Sequence, residues 1–151
     1  MTSARNQRTF DIVATKLAQQ GRPSARARGF GSPRCMYLAP NGDRCAAGQL
    51  FELPDSEIKA LGNPSVTASS GIQHHLAELG HDVTFVAYLQ DAHDEAAKYS
   101  LEPVVWLTEW AGRMRGLALE QGLSIDVLEQ ALAERVRVQA RALLAAAEVA
   151  S

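Results

Sequence analysis

Apolar positions along most of the chain recur every three or four residues, which is the spacing of an α-helix with one buried face. Near the N-terminus Phe10, Val13, Ala14 and Leu17 share such a face, and Gly21 follows where a helix would end. Four later segments repeat this pattern. Their predicted apolar faces are Ile72, Leu76 and Leu79; Phe85, Leu89, Ala92 and Ala96; Leu107, Trp110, Met114 and Leu117; and Leu128, Leu132, Val136, Ala140 and Leu143. Glycines again follow predicted helices, at Gly62, Gly80 and Gly122. The pattern predicts a mainly α-helical protein.

The last predicted helix is longer than the others. Ser124 is placed to cap it, and its apolar positions continue towards Val149. At about 1.5 Å per residue it would be roughly 37 Å long, more than a compact domain of this size requires. We therefore expect residues 1–123 to form a compact helical domain. Residues 124–151 would form a helix that docks on this domain or binds a partner, and a homo-oligomer through this helix is one alternative.

The sequence CMYLAPNGDRCAAGQL, residues 35–50, breaks the helical pattern. Asn41-Gly42 favours the tight turn of a hairpin, because both central residues of a type I′ turn need positive φ. This turn predicts one short β-hairpin near residues 35–45, with Tyr37 packed beneath the hairpin. A short helix is expected to begin at Cys45, and Gly48 would allow a close approach of another segment.

Length and composition indicate one domain with a substantial core. The chain has 151 residues, 46% of them hydrophobic, and a formal net charge of −2. No stretch approaches the ~18 uninterrupted apolar residues of a membrane span, and the charged N-terminal segment does not resemble a secretory signal. Two cysteines in such a chain are most simply reduced thiols. We therefore expect a cytoplasmic protein with no membrane partner.

The charges are unevenly distributed along the chain. No acidic residue lies between Asp11 and Asp43, whereas several arginines do, and more follow on the last helix. Exposed arginines can contact the phosphates of a nucleic acid, although a solvated loop is the simpler interpretation. The candidate binding residues are Arg22, Arg26, Arg28, Arg34, Arg137 and Arg141.

Cys45 and His93 form the one candidate catalytic pair. A thiol at a helix N-terminus beside Arg44 would have a lowered pKa, and His93 could act as its base. Adjacent side chains point about 100° apart on a helix, so we expect Asp94 not to orient the His93 ring. The alternative is a small buried cysteine that packs at the turn.

We expect neither a metal nor a cofactor. Nine residues separate Cys35 from Cys45, which exceeds the usual spacing of paired zinc ligands. No phosphate-binding loop or dinucleotide fingerprint is present. Without a recognisable catalytic set, the sequence favours a binding protein over an enzyme.

Several motifs resemble a group of small proteins encoded by phages, prophages and bacteria. They are Cys35-x-Tyr37, Asn41-Gly42 and Cys45-Ala46-x-Gly48 followed by Pro54-Asp55, then Leu89-Gln90-x-x-His93-Asp94 and a tryptophan-bearing helix. The resemblance covers residues 6–123 and implies a phage-related origin but no activity. It leads us to expect an accessory protein that binds a host or phage protein, with inhibition of a bacterial defence system such as a CRISPR effector as one consequence.

Overall fold

The computed structural model describes residues 2–27, 29 and 31–150. These residues form six α-helices and one two-stranded antiparallel sheet, which confirms the mainly α-helical prediction. The helices are α1 (Thr2–Gln20), α2 (Asp55–Ala60), α3 (Ser70–Glu78), α4 (Val83–Tyr99), α5 (Pro103–Gln121) and α6 (Asp126–Ala150). The strands are β1 (Ala25–Arg26) and β2 (Arg34–Cys35), and two short 3-10 helices span Gly48–Leu50 and Val66–Ala68. None of the described helices is both long and apolar enough to cross a membrane.

The core is built around α1, which packs against α4, α5 and α6. Its predicted face is fully buried, as is the predicted face of α4 apart from a slight exposure of Ala92. On α5 the prediction was partly wrong. Trp110 and Met114 are buried as expected, but Leu107 and Leu117 lie at the margin and Trp106 is fully buried instead.

Two stacked tryptophans connect α5 to α4. The rings of Trp106 and Trp110 lie 5.4 Å apart with an angle of 8° between their planes. Trp106 also contacts the His93 ring edge-on, and its Nε1–H donates to the His93 carbonyl at 3.3 Å. This contact places His93 in the core, below the segment that carries the two cysteines.

The position of the hairpin differs from the prediction. The Asn41-Gly42 turn forms, with Gly42 N–H donating to Ala39 O at 2.9 Å, but no strand flanks it. The two strands instead pair upstream, with Ala25 opposite Cys35 and Arg26 opposite Arg34. Met36 N–H donates to Ser24 O at 2.9 Å, so the chain before the turn is paired with residues 24–26, and a backbone hydrogen bond, from Ala39 N–H to Asp43 O at 2.8 Å, closes the turn.

Gly48 lies against the backbone of Tyr37, as the close-approach prediction required. A Cβ at position 48 would overlap the carbonyl oxygen of Tyr37. Tyr37 cannot move away easily, because its ring packs on Phe51 at 5.2 Å and its hydroxyl donates to Pro64 O at 2.5 Å.

Gly48→Ala should therefore lower the free energy of unfolding by about 1–3 kcal/mol, the usual cost of an overpacked site. Gly112→Ala is the matched control: its Cβ would meet no atom within 4 Å, and it should stabilise α5 by about 0.5–1 kcal/mol. Urea unfolding measures both. Equal midpoints for Gly48→Ala and the wild-type protein would show that this contact is not tight.

The first part of α6 docks and the remainder projects. Leu128 is fully buried against α1, and Arg135 Nη1 donates to the Gln19 carbonyl at 2.9 Å. Beyond Arg135 only Gln139 is half-buried, and every other residue to Ala150 is exposed. The helix is thus docked over about its first three turns, and residues 136–150 extend from the domain.

Candidate functional site

The two cysteines line one cavity of about 520 Å³ between α4 and the chain around residues 33–37 and 63–67. Asp94 and Gln90 face this cavity from α4, and Cys35 comes from β2. His93 lies behind it and is fully buried. The cavity therefore lies next to both members of the predicted catalytic pair, Cys45 and His93.

Both ring nitrogens of His93 are occupied. Nε2 accepts the backbone N–H of Ser24 at 3.0 Å, and this donor assigns the ring proton to Nδ1. Nδ1 then donates to Asp94 Oδ1 at 2.9 Å. The ring thus ties α4 to the segment before β1, and it has no free nitrogen with which to accept a proton from a thiol.

The expectation that Asp94 does not orient His93 was wrong. The Cβ atoms of adjacent residues do diverge on a helix, but Nδ1 and a carboxylate oxygen both lie close to the backbone and can turn towards each other. Gln90 Nε2 donates to the same Asp94 oxygen at 2.6 Å. Burial alone would raise the pKa of Asp94, but hydrogen bonds from His93, Cys35 and Gln90 outweigh it and hold this pKa below its ordinary value.

Cys45 does not lie at the N-terminus of an α-helix. It precedes a turn and the 3-10 helix Gly48–Leu50, which is too short to supply a helix dipole. Arg44 is engaged elsewhere, donating to Gly48 O at 3.1 Å and to Asp55 Oδ1 at 3.1 Å. Cys45 therefore has neither an α-helix dipole nor an unengaged Arg44 beside it, although hydrogen bonds from Gly48, Gln90 and Ala47 act to lower its pKa.

Burial instead raises the pKa of the Cys45 thiol, to about 12. Its side chain is 1% exposed. Burial and the nearby Asp94 carboxylate also raise the pKa of Cys35. Both cysteines are free thiols. Because the thiolate is the nucleophile, the geometry favours the packed cysteine over the catalytic one.

Iodoacetamide should leave Cys45 unmodified in the native protein near pH 8 and should alkylate it fully after denaturation. The physical reason is the combination of burial and a pKa well above the ordinary 8.5. Mass spectrometry of peptides after alkylation at several pH values measures this. Modification of native Cys45 with a midpoint below pH 8 would restore the hydrolase or transferase hypothesis.

Cys35, His93 and Asp94 also lie close enough to suggest a metal site. One potential ligand atom from each falls within 4.8 Å of the others. However, a metal on Nδ1 of His93 would displace the proton there, while Nε2 already accepts the Ser24 N–H. The ring would have to bind as an imidazolate. Hydrogen bonding, with Asp94 as the shared acceptor, accounts for this cluster.

The arginines predicted to bind a partner lie in three different settings. Arg22 pairs with the buried Asp43 at 2.5 Å, which also raises the Arg22 pKa, so this side chain has a structural partner. Arg26 and Arg34 are exposed and directly opposite each other across the two strands. Arg28 lies outside the described residues.

Arg137 and Arg141 are far along α6, on its projecting part. Both are exposed, and Arg137 pairs with Glu134 on the same helix at 2.7 Å. The structure therefore divides the described members of the predicted binding set between the hairpin and α6.

The projecting part of α6 carries apolar residues that the sequence pattern had partly missed. Val136 and Leu143 belong to the predicted apolar line of this helix and are 61% and 73% exposed. Leu144 and Val149, outside the predicted face, are 65% and 89% exposed. At about 100° per residue Val136, Leu143 and Leu144 lie on one side of the helix and Val149 lies on the opposite side. The signal was present in the sequence, because Val149 cannot share a face with Val136 and Leu143.

Comparisons of the chain with models of protein families, with curated proteins and with solved structures found no match.

Proposed function

We propose that the protein acts by binding another protein through the projecting part of α6 and not by thiol chemistry. The observation that carries this proposal is the exposure of Val136, Leu143 and Leu144, which we call the leucine face. Three large apolar side chains on one side of an exposed helix are typical of a surface that is covered by a partner. The occupied nitrogens of His93 and the buried Cys45 remove support from the catalytic alternative.

The spacing of the leucine face fits recognition of a helix by a groove. Val136 and Leu143 are seven residues apart and Leu144 is next to Leu143, so all three lie within about one-third of the helix circumference. Such i and i+7 anchors insert into an apolar groove of the partner. Arg137 and Arg141 flank the face, so an acidic rim on that groove would complement it.

The resemblance to phage and prophage proteins supports a host or phage protein in the bacterial cytoplasm as this partner. Inhibition of a defence system such as a CRISPR effector is the consequence that we propose, because occupying a groove can block the effector without chemistry. This part of the proposal depends on the motifs at residues 35–55 and 89–94.

A tagged pull-down from a bacterial host lysate tests the leucine face when three chains are compared. The wild-type chain and Val149→Glu should retain the same protein in near-stoichiometric amount, whereas Leu143→Glu should lose it. Val149 is the matched control because it is also apolar and exposed, at 89% against 73% for Leu143, but lies on the other side of α6. Equal retention by Leu143→Glu and the wild-type chain would show that the leucine face is not the contact.

A second candidate function is binding of a nucleic acid by the hairpin. Arg26 and Arg34 stand opposite each other, an arrangement that is destabilising for like charges, and neither has a side-chain partner among the described residues. A phosphate between them would relieve this repulsion. Fluorescence anisotropy with labelled DNA and RNA at increasing salt tests the candidate, and the double variant Arg26→Ala, Arg34→Ala should lose any binding. Unchanged binding by this variant would show that the hairpin is not the nucleic-acid-binding site.

A further inference from the structure

The side of α6 opposite the leucine face carries a second apolar surface. Val138, Ala142, Ala145 and Val149 form it, and we call it the valine face. Its two valines are 43% and 89% exposed. At about 100° per residue the valine face and the leucine face lie on opposite sides of the helix. One partner helix therefore cannot cover both.

Apart from Arg135, the charged residues from Glu134 to Glu148 lie on one flank between these faces. Glu134, Arg137, Arg141 and Glu148 fall within about 60° of the helix circumference. This charged ridge lies next to the valine face, where residues that flank an interhelical seam are found. Any helix that packs on the valine face must therefore present charges that match the ridge.

We propose that the valine face binds the same face of a second copy of this chain, with the two α6 helices antiparallel. Its residues are spaced four, three and four positions apart, so the pattern is the same in both directions. A two-fold axis between Ala142 and Ala145 then sets each Val138 against Val149 of the second copy and each Ala142 against its Ala145. A symmetric dimer requires such a self-complementary surface.

The charged ridge is complementary in this register. Glu148 lies level with Gln139 of the second copy, midway between Arg137 and Arg141 of that copy. At 1.5 Å per residue each arginine is displaced by only about 3 Å along the axis. The two-fold axis keeps the ridges of both helices on the same side, so this arrangement occurs twice. Arg137 already pairs with Glu134 of its own helix. That pair is exposed, so Arg137 can also contact Glu148 of the second copy at little cost in free energy.

The contact between the domain and α6 at Arg135 precedes the overlap of the two helices. Arg135, which contacts the end of α1, lies on the flank away from the charged ridge. The overlap covers residues 138–149, whereas each domain packs on its own α6 up to Arg135. Small alanines at the centre allow the helix axes to approach closely. The leucine face remains outward on both copies, so the dimer would present two leucine faces to other partners.

Sedimentation equilibrium of the full chain over a wide range of concentration tests this proposal. We expect a reversible dimer whose dissociation constant increases about tenfold or more in Val149→Glu and changes by less than about twofold in Leu143→Glu. Glu148→Arg should also weaken the dimer, because it would place a positive charge between Arg137 and Arg141 of the second copy. A chain that stays monomeric, or a dimer broken by Leu143→Glu and not by Val149→Glu, would overturn the proposal.

Disulfide cross-linking tests the register separately. A mixture of Ala142→Cys and Ala145→Cys chains should cross-link between copies faster on mild oxidation than either variant alone. Faster cross-linking of Ala142→Cys alone would indicate parallel helices and contradict the register. Because the pull-down of a different protein depends on the leucine face, a monomeric result would leave that function standing.

Discussion

Trp106→Ala should lower the free energy of unfolding by about 3–5 kcal/mol, the range for large aromatic side chains in a core. Trp106 is fully buried, stacks on Trp110 and contacts His93, so its removal opens a cavity between α4 and α5. Because small domains are stable by only about 5–15 kcal/mol, this loss is a large share of the total. Urea unfolding followed by circular dichroism measures it.

The control for Trp106 is Tyr99→Ala, at an aromatic side chain that is 68% exposed. It should change the unfolding free energy by no more than about 0.5 kcal/mol, as most surface substitutions do. A loss at Tyr99 equal to the loss at Trp106 would contradict the position of the core between α4 and α5.

His93→Ala should lower the free energy of unfolding by about 3 kcal/mol. A buried donor left without a partner costs about 1–3 kcal/mol, and the missing ring adds a cavity. The donor is the backbone N–H of Ser24, which His93 Nε2 accepts at 3.0 Å. His93→Gln should lower the free energy of unfolding by less, since its amide oxygen can reach the position of Nε2 and accept the Ser24 N–H. Thermal and urea unfolding of both variants measure the difference.

The effect of His93→Ala should depend on pH in one direction. The pKa of Asp94 is lowered in the folded protein, so the stability contributed by its charged form is present above the ordinary value of about 3.9. That contribution is lost as the pH falls through the lower folded-state pKa. The difference between His93→Ala and the wild-type protein should therefore shrink below about pH 4. His74→Ala, at an exposed histidine, is the control. A penalty equally large at His74, or one that grows in acid, would contradict the structural role of His93.

Much of the helical architecture could be predicted from the sequence because its signals are local. The buried faces of α1 and α4 follow from periodicity alone. Asp82 caps α4 by accepting the Phe85 N–H, and each glycine expected to end a helix has a positive φ. These four glycines are Gly21, Gly62, Gly80 and Gly122. Local chemistry determines such features wherever the rest of the chain lies.

The parts that the sequence could not predict depend on contacts between distant segments. The strands pair at residues 25–26 and 34–35, with the Met36 N–H to Ser24 O hydrogen bond beside them, whereas the sequence placed the hairpin at the Asn41-Gly42 turn. The cluster around Asp94 joins Cys35, Gln90 and His93 from two separate segments. The thiol environment of Cys45 follows from that burial, so the sequence left the catalytic and the packed interpretations both open.

The projecting part of α6 shows a different limit. Periodicity predicts which residues of a helix are apolar, but it does not say where the surface that buries them ends. Leu128 is fully buried whereas Leu143 is 73% exposed, although both belong to the same predicted face. The length of α1, which ends at Gln20, decides where docking stops.

Hydrogen–deuterium exchange of residues 138–150 tests the central claim that the projecting part of α6 is the contact surface. It compares the full chain alone with its complex with the captured partner. An isolated helix of this length is only marginally stable in water, so these amides should exchange rapidly in dilute protein. We predict that partner binding slows their exchange at least about tenfold, since covering the helix opposes its local opening. Unchanged exchange at residues 138–150, with protection elsewhere in the chain, would contradict the claim.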